Sequence, residues 1–384
     1  MQKRVTHLTR AFLPPTTSFI SNQIIHHERY WPSVVYTDKI ESDLYRKIAS
    51  LYPVYQAPHG IAGNFLCSRF LMFTRSDERK LMHWIEEKAP DVMHIHFGVE
   101  AILFSNVVRK LNIPALVSFY GHDSTSFPAK FHGLGLTMLN RKVFFNPAIR
   151  LILAMSPDMQ AGLVALGCPA EKIRVHYFGV NTLQFSMDRD YGENSIVRFL
   201  IISHLEEKKG HHYLIDAFNK ATALTNRKIQ LNMAGDGRLK EEITQHIAKS
   251  GATNIFLQGV VGYGSPEHLD LFKNADVFVH PSITSQNGNK EGIPGTIIEA
   301  MSAGLPVIST FHAGIPYVIA NEINGLLVNE RDVDQLSAAI VRLAENAGLR
   351  QQLGNAARIS AQTELDVHKK QQELEMIYDE LSGQ

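Results

Sequence analysis

EGIPGTIIEAMSAGLPVIST, residues 291–310, sets Glu291 and Glu299 on either side of a Gly-Ile-Pro-Gly turn and then runs into the strand-like stretch Pro306 to Thr310. Pro294 suits the first turn of a helix, where its missing N–H costs nothing, and Gly304 followed by Pro306 suits a helix stop. The spacing predicts a helix from about Pro294 to Ala303, with Glu291 in the loop before it and Glu299 a little over one turn inside. A helix start offers unpaired N–H groups and the positive end of the dipole, which together favour an anion. A carboxylate accepts two hydrogen bonds well, which suits the vicinal hydroxyls of a sugar or ribose. A ligand with an anionic centre and hydroxyl-rich parts on both sides has the plan of a nucleotide sugar. On spacing alone, a helix-dipole carboxylate at Glu299 and a surface charge at Glu291 fit equally well.

Short β-rich runs recur on both sides of this stretch, between longer helical patterns. They are VTHLT, SVVYT, DVMHIHF, PALVSFYG, RLILAMS and IRVHYFGV, then VRFLIISHL, KIQLNMAGDG, TNIFLQGV, ADVFVHPS and LPVIST. This alternation marks an α/β protein with parallel sheets. Many runs end in Gly, Ser, His or Asp, and ligands of open α/β sheets bind where loops leave the carboxyl ends of strands. A chain of 384 residues exceeds what one core usually serves. The polar stretch from Phe178 to Ser195 interrupts the alternation, so the expected domains are residues 1–182 and 195–364, joined by a linker at 183–194. A helical, charged segment follows, ending in a helix over 365–384.

The 38 basic and 38 acidic residues cancel, which gives no electrostatic footprint for nucleic acid. Two cysteines, Cys67 and Cys168, argue against a disulfide framework and for a reducing, cytoplasmic setting. No apolar run reaches the ~18 residues of a spanning helix. The stretch AGNFLCSRFLMFTR (62–75) reads either as core or as an amphipathic membrane-facing helix, with Phe65, Leu66, Phe70 and Leu71 bounded by Arg69 and Arg75. The expected location is therefore the cytoplasm, or the cytoplasmic face of the inner membrane as a peripheral protein.

The run QNGNKEGIPGTIIEAMSAGLPVISTFHAGIPYVI closely resembles the glutamate-x7-glutamate signature of the retaining glycosyltransferases of family 4. The likeness extends to SHLEEKKGHHYLIDAF (203–218), AGDGRLKEEI (234–243), ADVFVHPS (275–282) and NGLLV (324–328). The resemblance implies the GT-B fold, in which two Rossmann-like domains face each other across a cleft and the C-terminal helix crosses back to the first. It implies an acceptor-binding N-terminal domain and a nucleotide-sugar-binding C-terminal domain. By the same resemblance Glu291 contacts the transferred sugar, Glu299 the donor ribose, and Gly292, Ile293 and Pro294 the sugar and diphosphate. Gly259 and Val260, at the end of TNIFLQGV, join the donor-binding set.

Lys209 follows a strand and precedes a helix, where an ammonium can stabilise a departing diphosphate; Lys208 better fits a solvated lysine. The family usually carries Arg where this chain has His204. Arg binds phosphate at any pH, whereas His contributes charge only when protonated, so Lys208 or Arg238 is a possible substitute. In the first half, LPPTTSFISNQIIHH (13–27) resembles the loop and helix after the first strand of exopolysaccharide enzymes of the family. These commonly read Ser-Glu-Thr-Phe where this chain has Thr16-Thr17-Ser18-Phe19. HIHFG (94–98) and PALVSFYGHDST (114–125) resemble the paired strands before the cleft, and Tyr120 occupies a position that is histidine in many members. The resemblance assigns His122 and Asp123 to the cleft near the reacting centre, and Thr16, Thr17, Ser18 and Tyr120 to the acceptor side. A hydrogen-bonded structural pair remains the other reading of His122 and Asp123.

Two DxD triplets, Asp188-Arg-Asp190 and Asp332-Val-Asp334, fall in the expected linker and at a helix start, so no divalent metal is expected. His26-His27, His94/His96 and His211-His212 lack the Cys or carboxylate partners of a zinc site and read as structural. No G-x-G-x-x-G or P-loop pattern marks a dinucleotide or ATP site. The resulting expectation is a cofactor-free, metal-independent hexosyltransferase. It would move a sugar from a UDP- or GDP-linked donor to a lipid-linked or free saccharide acceptor, in bacterial exopolysaccharide or lipopolysaccharide assembly. An epimerase or phosphorylase of the same fold, and a non-catalytic partner subunit, are the alternatives.

Overall fold

The computed structural model describes residues 2–12, 18–39, 43–57, 73–192 and 194–383. They form two compact units: the first runs to Gly179 and takes in Val367–Gln384, and the second is Val180–Asp366.

The first unit is built on seven strands: β1 (Lys3–Phe12), β2 (Tyr30–Lys39), β3 (Val54–Gln56), β4 (Val92–His96), β5 (Ala115–Phe119), β6 (Ile149–Ala154) and β7 (Ile173–Val175). They lie in the order β3-β2-β1-β4-β5-β6-β7, and every neighbouring pair is parallel. The second unit has β8 (Ile196–Ile202), β9 (Lys228–Ala234), β10 (Ile255–Gln258), β11 (Val277–His280), β12 (Val307–Thr310) and β13 (Leu326–Val328). Their order, β10-β9-β8-β11-β12-β13, is likewise parallel throughout. In both sheets the first strand of the unit sits inside, so the strand order reverses beside it and opens a crevice at the carboxyl ends.

Each β-rich run of the sequence contributes a strand, although IRVHYFGV supplies only three residues. The strands that the pattern misses, β3 and β13, are three-residue edge strands, too short to show a period. In the second unit, Val197, Phe199 and Ile201 of β8 and Ile229, Leu231 and Met233 of β9 alternate onto one face. The helix His211–Leu224 covers that face with Leu214, Ile215 and Phe218, and the helix Val333–Glu345 with Leu336 and Ile340. Each such side chain contributes about 1.5–3 kcal/mol on full burial.

The polar stretch after Phe178 is docked on the second unit. Arg189 donates to the carbonyls of Ala303 (2.9 Å) and Phe272 (2.8 Å), and Tyr191 donates to that of Gly304 (2.6 Å). The chain passes between units at Gly179 and again at Asp366. The last helix, Val367–Ser382, then packs on the first unit. Its Leu374, Ile377, Tyr378 and Leu381, spaced as one helical face, meet Val5, Val92, Leu116, Leu151 and Leu153 of the sheet. Among the described residues no helix is long and apolar enough to cross a membrane. Of the stretch 62–75, residues 62–72 lie outside the described residues, as do Thr16 and Thr17.

Candidate active site

In the second unit Lys209 and Glu291 meet. Lys209 Nζ lies 2.8 Å from Glu291 Oε1 and Lys208 Nζ lies 3.4 Å from the same oxygen, with the three side chains 9–18% exposed. Both lysines sit in a 3₁₀ turn, Glu207–Lys209, that ends at Gly210. Gly210 has φ +71°, and a Cβ there would come within 2.0 Å of the Pro281 carbonyl oxygen, so the turn that presents Lys209 requires glycine. Lys208 is thus not the solvated lysine that the sequence suggested; it faces the same carboxylate as Lys209.

Burial alone would raise the Glu291 pKa, but the Lys209 and Lys208 ammonium groups outweigh it and hold the carboxyl below the usual carboxylate range. Burial lowers the Lys209 pKa, and Glu291 opposes that shift. Two cations against one carboxylate leave a positive surplus, able to meet an anion.

The loop carrying Glu291 is pinned from behind. The Glu291 N–H donates to His312 Nε2 (3.1 Å), and His312 Nδ1–H donates to Glu330 Oε1 (2.6 Å). Glu330 also accepts from Thr284 N–H (2.7 Å), and the Gly292 carbonyl accepts from Gly314 N–H (3.2 Å). The ring thereby has a defined tautomer. His312 lies within the quoted run, yet only the folded loop reveals its partners.

Pro294 stands immediately ahead of the helix Gly295–Ser302, one residue later than the sequence suggested, and Gly292, Ile293 and Pro294 are all buried. Glu299 lies on that helix, 4% exposed. Burial pushes its carboxyl up to about 8. Its Oε2 has no hydrogen-bond partner, and the nearest cationic candidate is His268 Nε2 at 3.6 Å, a ring kept neutral by burial with a pKa of about 4. Glu291 Oε1, despite its two lysines, lacks a well-directed donor, and His211 Nδ1 and His280 Nε2 are buried without partners as well. His204 is exposed and its Nδ1–H donates to the Asp236 carbonyl (3.1 Å). Gly259 and Val260 leave the end of β10 exposed.

The first unit gathers the other predicted residues. Tyr120 follows β5, half-buried, with its ring 4.6 Å from that of Phe19 and 4.7 Å from that of Phe97. His122 is half-buried and its ring lies 5.6 Å from that of Phe97. Ser18 opens the helix Ser18–Ile25.

Asp123 departs from its expected role. It is 0% exposed, and its carboxylate accepts from the backbone N–H groups of Gly98 (2.9 Å), Tyr120 (3.1 Å) and Gly121 (2.9 Å). Those bonds hold the loop after β5 against the start of the helix Gly98–Leu111, and with the residue fully buried they give the carboxylate a structural role. Glu100, which no motif marked, lies in the first turn of that helix. Burial raises its carboxyl to about 8, with Arg10 opposing, and its Oε2 is unpartnered. His94 and His96, read from the sequence as structural, are joined by His7, which no motif marked: the three present ligand atoms within 4.8 Å of one another.

The chain matches the family model described as Glycosyl transferases group 1 over residues 193–360 and that of Glycosyltransferase Family 4 over 27–183. It is 30% identical over 302 residues to the amylovoran biosynthesis glycosyltransferase AmsK of Erwinia amylovora, across 77% of this chain and 71% of that one. It is 32% identical over 271 residues to the putative colanic acid biosynthesis glycosyltransferase WcaL of Escherichia coli, across 66% of this chain. That match spans 62% of WcaL, less than two thirds of its length. The crystal structure of Anabaena HepE in complex with UDP superposes with a TM-score of 0.79 at 18% identity, covering 98% of this chain and 100% of that one. Two parallel-sheet units, the two family models that cover them in turn and the match to AmsK establish that the chain belongs to the group 1 (family 4) glycosyltransferases, with the GT-B fold.

Proposed function

We propose that the second unit holds a nucleotide sugar and that the first binds the saccharide that receives the sugar, with retention of anomeric configuration and without a metal. The observation that carries this reading is the set of buried, incompletely partnered groups around the Gly292–Pro294 turn. Lys209 and Lys208 offer charge to a diphosphate, Glu291 offers an acceptor to sugar hydroxyls, and Glu299 offers one to a ribose diol. Charge stabilisation of a leaving group by preorganised cations is often the largest catalytic contribution. The relative HepE is described bound to UDP and to UDP-glucose, which supports a uridine-linked donor. The names of AmsK and WcaL support a place in exopolysaccharide biosynthesis; an acceptor carried on a polyprenyl diphosphate is part of the proposal.

In this reading His122, Tyr120 and Glu100 serve the acceptor side. Peripheral membrane contact is supported by the exposed Phe131 and Leu134 beside Lys130, and by Phe145 near Arg141. Slow donor hydrolysis across UDP-, GDP- and ADP-sugars, with excess chelator, tests the whole proposal. Turnover of one donor by the wild type, lost in Glu291→Gln and Lys209→Ala, is the expected result. Silence across the panel, with no thermal stabilisation by any donor, favours a non-catalytic partner subunit instead.

A further inference from the structure

Five side chains form one hydrogen-bonded chain through the first unit. Glu375 Oε1 lies 3.0 Å from His27 Nδ1, and His27 Nε2 lies 2.9 Å from His7 Nε2. His7 Nδ1 lies 2.9 Å from His96 Nε2, and His96 Nδ1 lies 2.8 Å from the Tyr120 hydroxyl. The sheet builds its centre. In register His7 stands opposite His94, and His94 and His96 are two residues apart, so all three share the face that the last helix covers.

Each ring of the chain is entered through one nitrogen and left through the other. A neutral imidazole has one N–H and one lone pair, so the chain can point only one way or the other. Burial keeps His7, His27 and His96 neutral by lowering each pKa.

Glu375 selects the direction. Its carboxylate accepts from the backbone N–H groups of Glu28 (2.9 Å) and Arg29 (3.2 Å) and from Arg29 Nε (3.2 Å). Burial pushes its pKa up, but His27 and these donors outweigh that and keep it ionised. An ionised carboxylate only accepts, so the proton of His27 sits on Nδ1. Gln371 Nε2 lies 2.7 Å from the same nitrogen, so this tautomer requires the Gln371 amide turned over, with its oxygen toward His27. His27 Nε2 accepts from His7 Nε2–H, His7 Nδ1 accepts from His96 Nε2–H, and His96 Nδ1 accepts from the Tyr120 hydroxyl.

We propose that Glu375 is a positioning residue that fixes the tautomers of His27, His7 and His96 and so leaves Tyr120 a pure hydrogen-bond acceptor toward any ligand at the end of β5. The ligand atom that meets Tyr120 is then a hydroxyl or ammonium donor, not a carbonyl or phosphate oxygen. Gln23 and Ser118 also hydrogen-bond the Tyr120 hydroxyl, so a ligand donor shares or replaces one of those bonds, and the unpartnered Gln23 Oε1 offers it a second acceptor. That the donor is a saccharide hydroxyl rests on the glycosyltransferase reading; the tautomers do not. His7, His94 and His96 could instead hold a metal ion, but His94 is bonded to Tyr378 (2.6 Å) and Ser118 (2.7 Å). All six ring nitrogens are therefore engaged, and an ion would have to break the chain.

Long-range ¹H–¹⁵N correlation spectra of the full ¹⁵N-labelled chain at neutral pH read these tautomers directly. His27 is expected protonated on Nδ1, and His7 and His96 on Nε2, with no imidazolium among them. Glu375→Met removes the ionised acceptor and should populate both tautomers at His96. Tyr120→Phe, at the far end, should leave His27 and His7 as in the wild type. A wild-type His96 protonated on Nδ1, or a charged ring in the chain, overturns the proposal even if Glu375→Met does not fold. So does a folded Glu375→Met with an unchanged His96. One equivalent of zinc shifting His7, His94 and His96 together would replace the chain with a metal site.

Discussion

At the carboxyl ends of the two sheets, buried polar side chains are treated in opposite ways. In the first unit every ring nitrogen of His7, His94 and His96 has a partner, and Asp123 is consumed by backbone N–H groups. In the second, Glu299 Oε2, His211 Nδ1 and His280 Nε2 are buried and lack hydrogen-bond partners, and Glu291 Oε1 is met only by the lysine ammonium groups. An unsatisfied buried polar atom costs roughly 1–3 kcal/mol. Three of them together mark a place where the fold leaves room for something to complete the bonding. In the first unit Gln23 and Glu100, beside Tyr120 and Asp123, also carry an unpartnered oxygen.

Lys209→Ala should break the second-unit cluster most deeply. Nucleotide release from the donor is expected to fall on the order of 10²–10³-fold, the loss seen when a preorganised charge-stabilising group is removed. Unchanged turnover would mean that the Lys209–Glu291 pair is scaffold too, and the distinction between the units would collapse.

Glu299 offers the next largest effect, through pH. Its folded pKa of about 8 stands above the unfolded value near 4.5. A group raised in this way contributes stability fully below the unfolded pKa and loses it as pH rises toward the folded one. Stability of the free protein should therefore fall between about pH 4.5 and 8, by at most about 1.4 kcal/mol per pH unit from this group. Glu299→Gln should flatten that slope in denaturation curves collected across the range. A nucleotide whose ribose donates to the carboxylate favours its ionised form, so binding should release a proton. Calorimetry in buffers of different ionisation enthalpy would detect it, and binding without proton release would remove the ribose from Glu299.

Asp123→Asn sharpens the comparison from the other side. The amide keeps one acceptor oxygen and sets an NH₂ against backbone donors, so a stability loss of roughly 1–3 kcal/mol is expected in chemical denaturation. Kinetic constants of the folded fraction should stay put. A folded, equally stable variant with altered kinetics would return Asp123 to the reacting centre.

The sequence reached the architecture through strand-forming runs and helical spacing, because these are local signals, and it singled out Glu291, Glu299 and Lys209, which the fold largely buries in the second unit, because they sit in contiguous motifs. Partners distant along the chain were out of reach. His312 and Glu330 become neighbours of Glu291 only when β12 and β13 align, and His27 meets Glu375 only when the last helix returns to the first unit. Lys208 looked solvated because two adjacent lysines in a charged turn carry no sign of which way they face. Asp123 looked catalytic because a His-Asp pair after a strand is the same string whether its carboxylate meets substrate or three backbone N–H groups.

His312 gives the smallest and most specific effect. It touches no predicted ligand group, only the Glu291 N–H on one side and Glu330 on the other. Its loss should displace the loop without removing charge. His312→Leu should lower donor turnover by roughly tenfold, equivalent to ~1.4 kcal/mol in the barrier, while leaving nucleotide binding nearly intact. Glu330→Gln provides the control, since an amide oxygen can still accept from His312 Nδ1–H and keep Nε2 as the acceptor for Glu291. If Glu330→Gln retains activity and Glu330→Leu loses it to the same degree as His312→Leu, the two residues act as one support. Equal losses in both Glu330 variants would show that Glu330 supports more than His312, since a Gln oxygen that accepts from His312 leaves Thr284 N–H facing the amide nitrogen.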